Sequence, residues 1–150
     1  MDYFYYLCIK NRENMTLKEL ETRLEAIQES QMVTYSSLEK AGIGYMTAKR
    51  IQNGDNYQVK MLFKYVDLLC QYIIVNGQVM EDVEKLGEYL FSLRQAAGLT
   101  TIQIASKMVV AVNTVLAIEK GTGYKRESLL KYIEAIGGVD FEIDDIINRI

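Results

Sequence analysis

The chain repeats itself, and that constrains its fold more than any single motif does. Leu20, Leu24 and Ile27 fall on Leu86, Leu90 and Leu93 at a constant offset of 66 residues, and Gln28 falls on Arg94, Thr34 on Thr100 and Leu38 on Ile104. After a one-residue deletion the offset is 67: Ile51 meets Ile118, Gly54 meets Gly121, Tyr57 meets Tyr124, Leu62 meets Leu129, Tyr65 meets Tyr132, and Tyr72–Val75 meet Val139–Glu142. At 150 residues and 49% hydrophobic composition there is room for two small units and apolar surface enough to bury them. We expect an N-terminal extension, 1–14, a first divergent unit, 15–78, and a second unit, 79–150.

Each unit reads as four helices with short breaks. Thr16 with Glu19 forms a capping-box pattern ahead of Leu17, Leu20, Leu24 and Ile27 at helical spacing, and Ser30–Val33 close that helix. Thr34 starts the next, and its counterpart Thr100 with Gln103 repeats the capping box. A turn at Gly42 or Val109 leads to a third helix ending near Gly54 or Gly121, where glycine takes the left-handed conformation that closes a helix. The fourth helix runs from about Gln58 to Cys70 and from about Glu127 to Ile136. Tyr72–Val75 and Val139–Ile143 then look extended; Val139, Phe141 and Ile143 alternate with acids at period two, with a short helix from Asp140 through Ile147 as the alternative.

Histidine, proline and tryptophan are absent, which removes His-dependent triads, His metal sites and the commonest near-neutral acid–base group. Cys8 and Cys70 are too few for a thiolate metal centre. No phosphate-binding glycine loop or paired catalytic carboxylates emerge, and Asp144-Asp145 reads as a solvated helix face. We expect no enzyme, no metal, no cofactor and no small-molecule substrate. No apolar run approaches a membrane span, and Met1–Lys10 lack the basic n-region of a signal peptide, so the expected place is the cytoplasm, without membrane contact.

Leu93 to Gly121, LRQAAGLTTIQIASKMVVAVNTVLAIEKG, resembles the Cro/lambda-repressor-like helix-turn-helix family. The likeness rests on Leu93-Arg94, Gly98-Leu99-Thr100, Ile104-Ala105 and Ile118-Glu119-Lys120-Gly121. It covers residues 83–143 well and 16–75 weakly, and it departs from the family at Thr101, where glutamine is frequent. It implies a mainly α protein of two tandem lambda-repressor-like helix-turn-helix domains, each with a short strand after it as an option, that binds double-stranded DNA as a transcriptional regulator. It also implies an Arg94–Glu119 pair tying helix one to the end of helix three. In the first unit both positions change together, to Gln28 and Gln52, an amide pair that hydrogen-bonds without burying charge.

The third helix of the first unit presents Tyr45, Met46, Lys49 and Arg50, with Thr47 and Tyr45 adding hydroxyls and Asn53 a backbone contact. In the second unit the matching positions are Val112, Asn113, Leu116 and Ala117; Asn113 and Thr114 remain able to read a base, while Val112 and Leu116 suit thymine methyls or a protein interface. From Gly44 to Lys64, Lys49, Arg50, Lys60 and Lys64 stand against Asp55, a net of +3. From Ala105 to Arg126, Lys107, Lys120, Lys125 and Arg126 stand against Glu119, again +3, so the rest of a chain of net −3 carries −9. Thr34, Tyr35, Thr100 and Thr101, at helix starts, and Lys60, Lys120, Lys125 and Arg126 complete the expected DNA face.

Two linked units suit adjacent half-sites as a pseudo-dimer does, with Gly77–Asp82 as the link. A homodimer through the second unit is an alternative, as is an interaction module that keeps the fold without DNA affinity. Tyr3–Ile9 read as an edge strand pairing with Tyr72–Val75 or with another chain; a start at Met15 would leave both repeats intact.

Overall fold

In a computed structural model, residues 15–145 are described. They are mainly helical: α1 (Leu17–Ser30), α2 (Tyr35–Lys40), α3 (Tyr45–Asn53), α4 (Val59–Leu68), β1 (Gln71–Val75), β2 (Gln78–Met80), α5 (Val83–Ala96), α6 (Thr101–Met108), α7 (Val112–Lys120), α8 (Arg126–Ala135) and β3 (Phe141–Asp145). The helix starts follow from local chemistry. Thr16, Thr34, Asp82 and Thr100 each accept a hydrogen bond from a backbone N–H three residues on, and only at Thr100 does the reciprocal Gln103 bond complete the capping box. Gly54 and Gly121 close α3 and α7 at φ 69° and 71°.

Four buried stripes build the interior: Leu20 and Leu24 on α1, Leu86 and Leu90 on α5, Ile51 on α3 and Ile118 on α7 are essentially inaccessible. With Leu38, Ile104, Tyr65 and Tyr132 they belong to one continuous apolar core that runs through both units. Gly87, inside α5, lets that helix touch α7 backbone to backbone, since a Cβ there would sit 2.5 Å from the Glu119 carbonyl oxygen. Its counterpart at offset 66, Glu21, is a buried acid.

The strands form a three-stranded sheet in the order β2-β1-β3, all antiparallel. Its β1–β3 register pairs Ile73 with Ile143, Ile74 with Glu142 and Val75 with Phe141, and Met15 bridges the far side of Phe141. This resolves the tail of the second unit as a strand rather than the helix from Asp140, and places Asp144-Asp145 on β3, not on a helix face. The fourth helix of the first unit stops at Leu68, because Cys70 adopts φ 55° on the way into β1. Strand β2 lies where a plain link was expected, across the boundary placed at residue 78: Asn76 and Gly77, at φ 50° and 80°, make the tight reversal that their sequence favours. β1 is the central strand, flanked by β3 along its length and by β2 at Ile73–Val75; Tyr3–Ile9 lie outside the described residues.

Residues 109–111 separate α6 from α7, and the two helices bend by 108°. Among the described residues no single helix is long and apolar enough to cross a membrane. At that turn Val109 takes φ 58° with its side chain 86% exposed, where the first unit has Gly42 at φ 99°. A β-branched residue in this region is strained by about 1–2 kcal/mol. Val109→Gly is therefore expected to raise stability by roughly 0.5–1 kcal/mol after glycine's own entropy cost, read as a higher urea midpoint with an unchanged slope.

Candidate nucleic-acid interface

Helix α3 keeps Ala48 and Ile51 in the core, which turns Tyr45, Met46, Arg50 and Asn53 outward. Tyr45 and Met46 are 51% and 61% exposed. Lys49 is less free: its Nζ stands 3.4 Å from Glu25 and lies 5.3 Å and 5.8 Å from the ring centres of Tyr35 and Tyr45, which meet edge to face at 4.9 Å. Thr47 is half-buried, as is Tyr35, while Lys60 is exposed on α4. Arg50 is thus the exposed cation at the centre of this face, with Lys49 steadied at its rim.

On α7 the equivalent face is Val112, Asn113 and Lys120, all exposed, with Thr114, Leu116 and Ala117 half-buried. Leu116 lines a shallow cleft of about 330 Å³ with Phe91, Glu88, Glu119 and Lys120. Asn113, Thr114 and Ala117 line another of about 280 Å³ with Gly123, Tyr124 and Ser128. Ile102 on α6 is 71% exposed, and Val109 and Val112, next after it in chain order, are exposed too, aliphatic side chains where the first unit has Ser36, Gly42 and Tyr45. Thr34 and Thr100 spend their hydroxyls on their own helix caps; Thr101 is half-buried and Lys125 exposed.

What holds these helices is a clasp from the first helix of each unit to the third and fourth. In the second unit Arg94 donates through Nε and Nη2 to the two oxygens of Glu119, at 2.6 and 3.0 Å, and through Nη1 to the Leu99 carbonyl at 2.8 Å. Tyr132 donates to Glu119 at 2.6 Å, closing the set. In the first unit Gln52 donates to Gln28 at 3.4 Å and to the Tyr65 hydroxyl at 2.9 Å, and Tyr65 donates to Gln28. Both clasps therefore contain a tyrosine that the pairwise reading omitted. The signal was present: Tyr65 and Tyr132 are the same residue at the same repeat position, on otherwise apolar helix faces.

Arg126, expected to contact phosphate, has its guanidinium committed elsewhere. It donates to both oxygens of Glu21 at 2.8 and 2.9 Å, with side-chain exposures of 13% and 0%, and Tyr57 donates to the same carboxylate at 2.5 Å. The carboxylate lies 105 residues away in the chain, beyond the reach of any local motif. Among the described residues no group of three or more His, Cys, Asp or Glu side chains is arranged to hold a metal ion, and Cys70 is an exposed free thiol. No family model, curated protein or solved structure matches the chain.

Two outcomes follow from these buried groups. Arg126→Ala strands the Glu21 carboxylate and is expected to cost about 3–5 kcal/mol of unfolding free energy in chemical denaturation, whereas exposed Lys125→Ala changes it by less than about 0.5 kcal/mol. Burial pushes the Tyr65 hydroxyl from its ordinary 10.0 up to about 12, against a smaller opposing effect of the Gln52 bond. Burial likewise raises Tyr57, Tyr124 and Tyr132. The unfolded chain loses these protons first, so stability is full below the ordinary value of 10.0 and falls as pH rises through about 12. Urea titrations across the alkaline range check this, and Tyr65→Phe should shallow the fall.

Proposed function

We propose that this chain is a sequence-specific double-stranded DNA-binding protein, a transcriptional regulator with two lambda-repressor-like helix-turn-helix units. The observation that carries the reading is a bent helix pair, clasped from behind by a buried polar network, whose outer helix keeps a free face. In the first unit that face is Tyr45, Met46, Arg50 and Asn53, with Lys49 at its rim. A helix so exposed fits the major groove, where Arg50 matches the O6 and N7 acceptors of guanine and Lys49 reaches phosphate. The second face offers Asn113, suited to the N7 and N6 groups of adenine, and Val112, suited to a thymine methyl. Lys60, Lys120 and Lys125 are exposed and add sequence-independent attraction.

A second reading, a protein-interaction module with the same fold, is favoured by one feature: the exposed aliphatic side chains of Ile102, Val109 and Val112. Selection from a random duplex pool at moderate and raised salt separates the two. The DNA reading expects an enriched motif, and it expects Lys49→Ala with Arg50→Ala to weaken binding roughly 10-fold or more and to flatten the salt dependence by about one to two ions. Unchanged affinity and salt slope would remove α3 as the reader. Weak salt-sensitive binding without enrichment would favour the interaction module.

A further inference from the structure

We propose that a single chain fills a DNA site of two unlike half-sites in inverted orientation, because its two units dock about a local twofold axis that a buried ion pair reserves for one first unit and one second unit. This rests on the DNA-binding reading above. The axis is visible in the pairing registers. The bridge Gln58–Lys125 joins two residues that are counterparts at offset 67. Its hydrogen bonds are mutual images: Val59 N–H donates to the Tyr124 carbonyl at 3.0 Å and Arg126 N–H to the Tyr57 carbonyl at 2.8 Å, and positions 57 and 59 correspond to 124 and 126.

The β1–β3 ladder obeys the same operation. Ile74 pairs with Glu142 and Val75 with Phe141, while the counterparts of Ile74 and Val75 are Phe141 and Glu142. Exchanging the units therefore turns each of these two pairs into the other. Two separate antiparallel pairings, one before α4 and α8 and one after them, are thus both centred on the exchange of the units. That is the signature of an isologous contact, in which residue i meets j and the counterpart of j meets the counterpart of i.

The outer helices run into this axis. Asn53 ends α3 five residues before Gln58, and Lys120 ends α7 five residues before Lys125. Even a fully extended five-residue path on each side of the bridge spans no more than about 42 Å between the two helix ends, and the left-handed turns at Gly54 and Gly121 shorten it; that ceiling accommodates the roughly 34–36 Å between half-sites on one face of a duplex. A twofold relation between the helices means inverted half-sites. Their side chains make the halves unlike: Arg50 favours a guanine in one, and Asn113 with Val112 an A·T pair in the other.

At the junction of the units the symmetry is broken by a buried charge. Glu21, Tyr57 and Arg126 meet there, and their counterparts are Gly87, Tyr124 and Val59. Two first units docked in this way would bury Glu21 against Val59; two second units would bury Arg126 beside Gly87 with no carboxylate. The mixed pair is the combination that matches charge with charge, which disfavours both homologous pairings. Consistent with a lost partner, the Tyr124 hydroxyl is buried with no hydrogen bond where Tyr57 has Glu21.

The test uses the full chain. Duplexes enriched from a random pool are sequenced, and the mass of the complex on the enriched duplex is measured by sedimentation. Expected are two unlike inverted half-sites and one chain per duplex, with Arg50→Ala relaxing base preference in one half alone and Asn113→Ala in the other, each weakening binding about 5- to 100-fold. A palindromic motif carrying two chains, or a lone half-site indifferent to Asn113→Ala, overturns the inference and leaves DNA binding standing. No enriched motif overturns the DNA reading and this inference with it.

Discussion

A carboxylate removed from water must find its hydrogen bonds and countercharge inside the protein, and Glu21 finds them in the other half of the chain. Arg126 supplies the charge and Tyr57 a third hydrogen bond, so a fully buried carboxylate is satisfied across the junction of the units. The rest of the arrangement depends on this. Tyr57 and Arg126 flank the Gln58–Lys125 bridge, whose backbone hydrogen bonds lead into α4 and α8. Those helices deliver the chain to β1 and, through Ile136–Asp140, to β3, whose ladder closes the junction a second time.

Within each unit a different polar device does comparable work. The Arg94–Glu119–Tyr132 clasp and the Gln28–Gln52–Tyr65 clasp occupy the same place and join the same three helices, one with formal charge and one without. The amide version avoids burying an ion pair, and its direct Gln52–Gln28 contact is long at 3.4 Å, while the direct Arg94–Glu119 contact is bidentate and short. Both keep the third helix fixed against the first, and a rigid support for an outward face is what selective recognition demands of a scaffold.

What could be read from the residues follows how local the determining physics is. The starts at Thr16, Thr34 and Thr100 and the stops at Gly54 and Gly121 were legible because capping and left-handed closure are settled within a few residues. The repeat itself located the helices, and the alternation of Phe141 and Ile143 marked one option for the last segment. β2 escaped because three residues carry no period, although Asn76-Gly77 is a hairpin signal in its own right. The register of β1 on β3 and the role of Arg126 were out of reach, since both are decided by how the units dock. On the candidate interface, the outward placement of Tyr45, Met46, Arg50, Val112 and Asn113 was legible from helical spacing, whereas the half-burial of Leu116 and Ala117 and the tethering of Lys49 to Glu25 needed the packing of each helix on its neighbours.

The most direct test of a two-helix DNA face is residue-level: backbone amide spectra of the isotope-labelled chain, recorded while a short duplex of arbitrary sequence is added at low salt. The account predicts that signals of Tyr45, Met46, Arg50 and Asn53 and those of Val112, Asn113 and Lys120 move together, saturating at one chain per duplex. Movement confined to one unit would contradict the paired face, and spectra that do not change would contradict DNA binding itself.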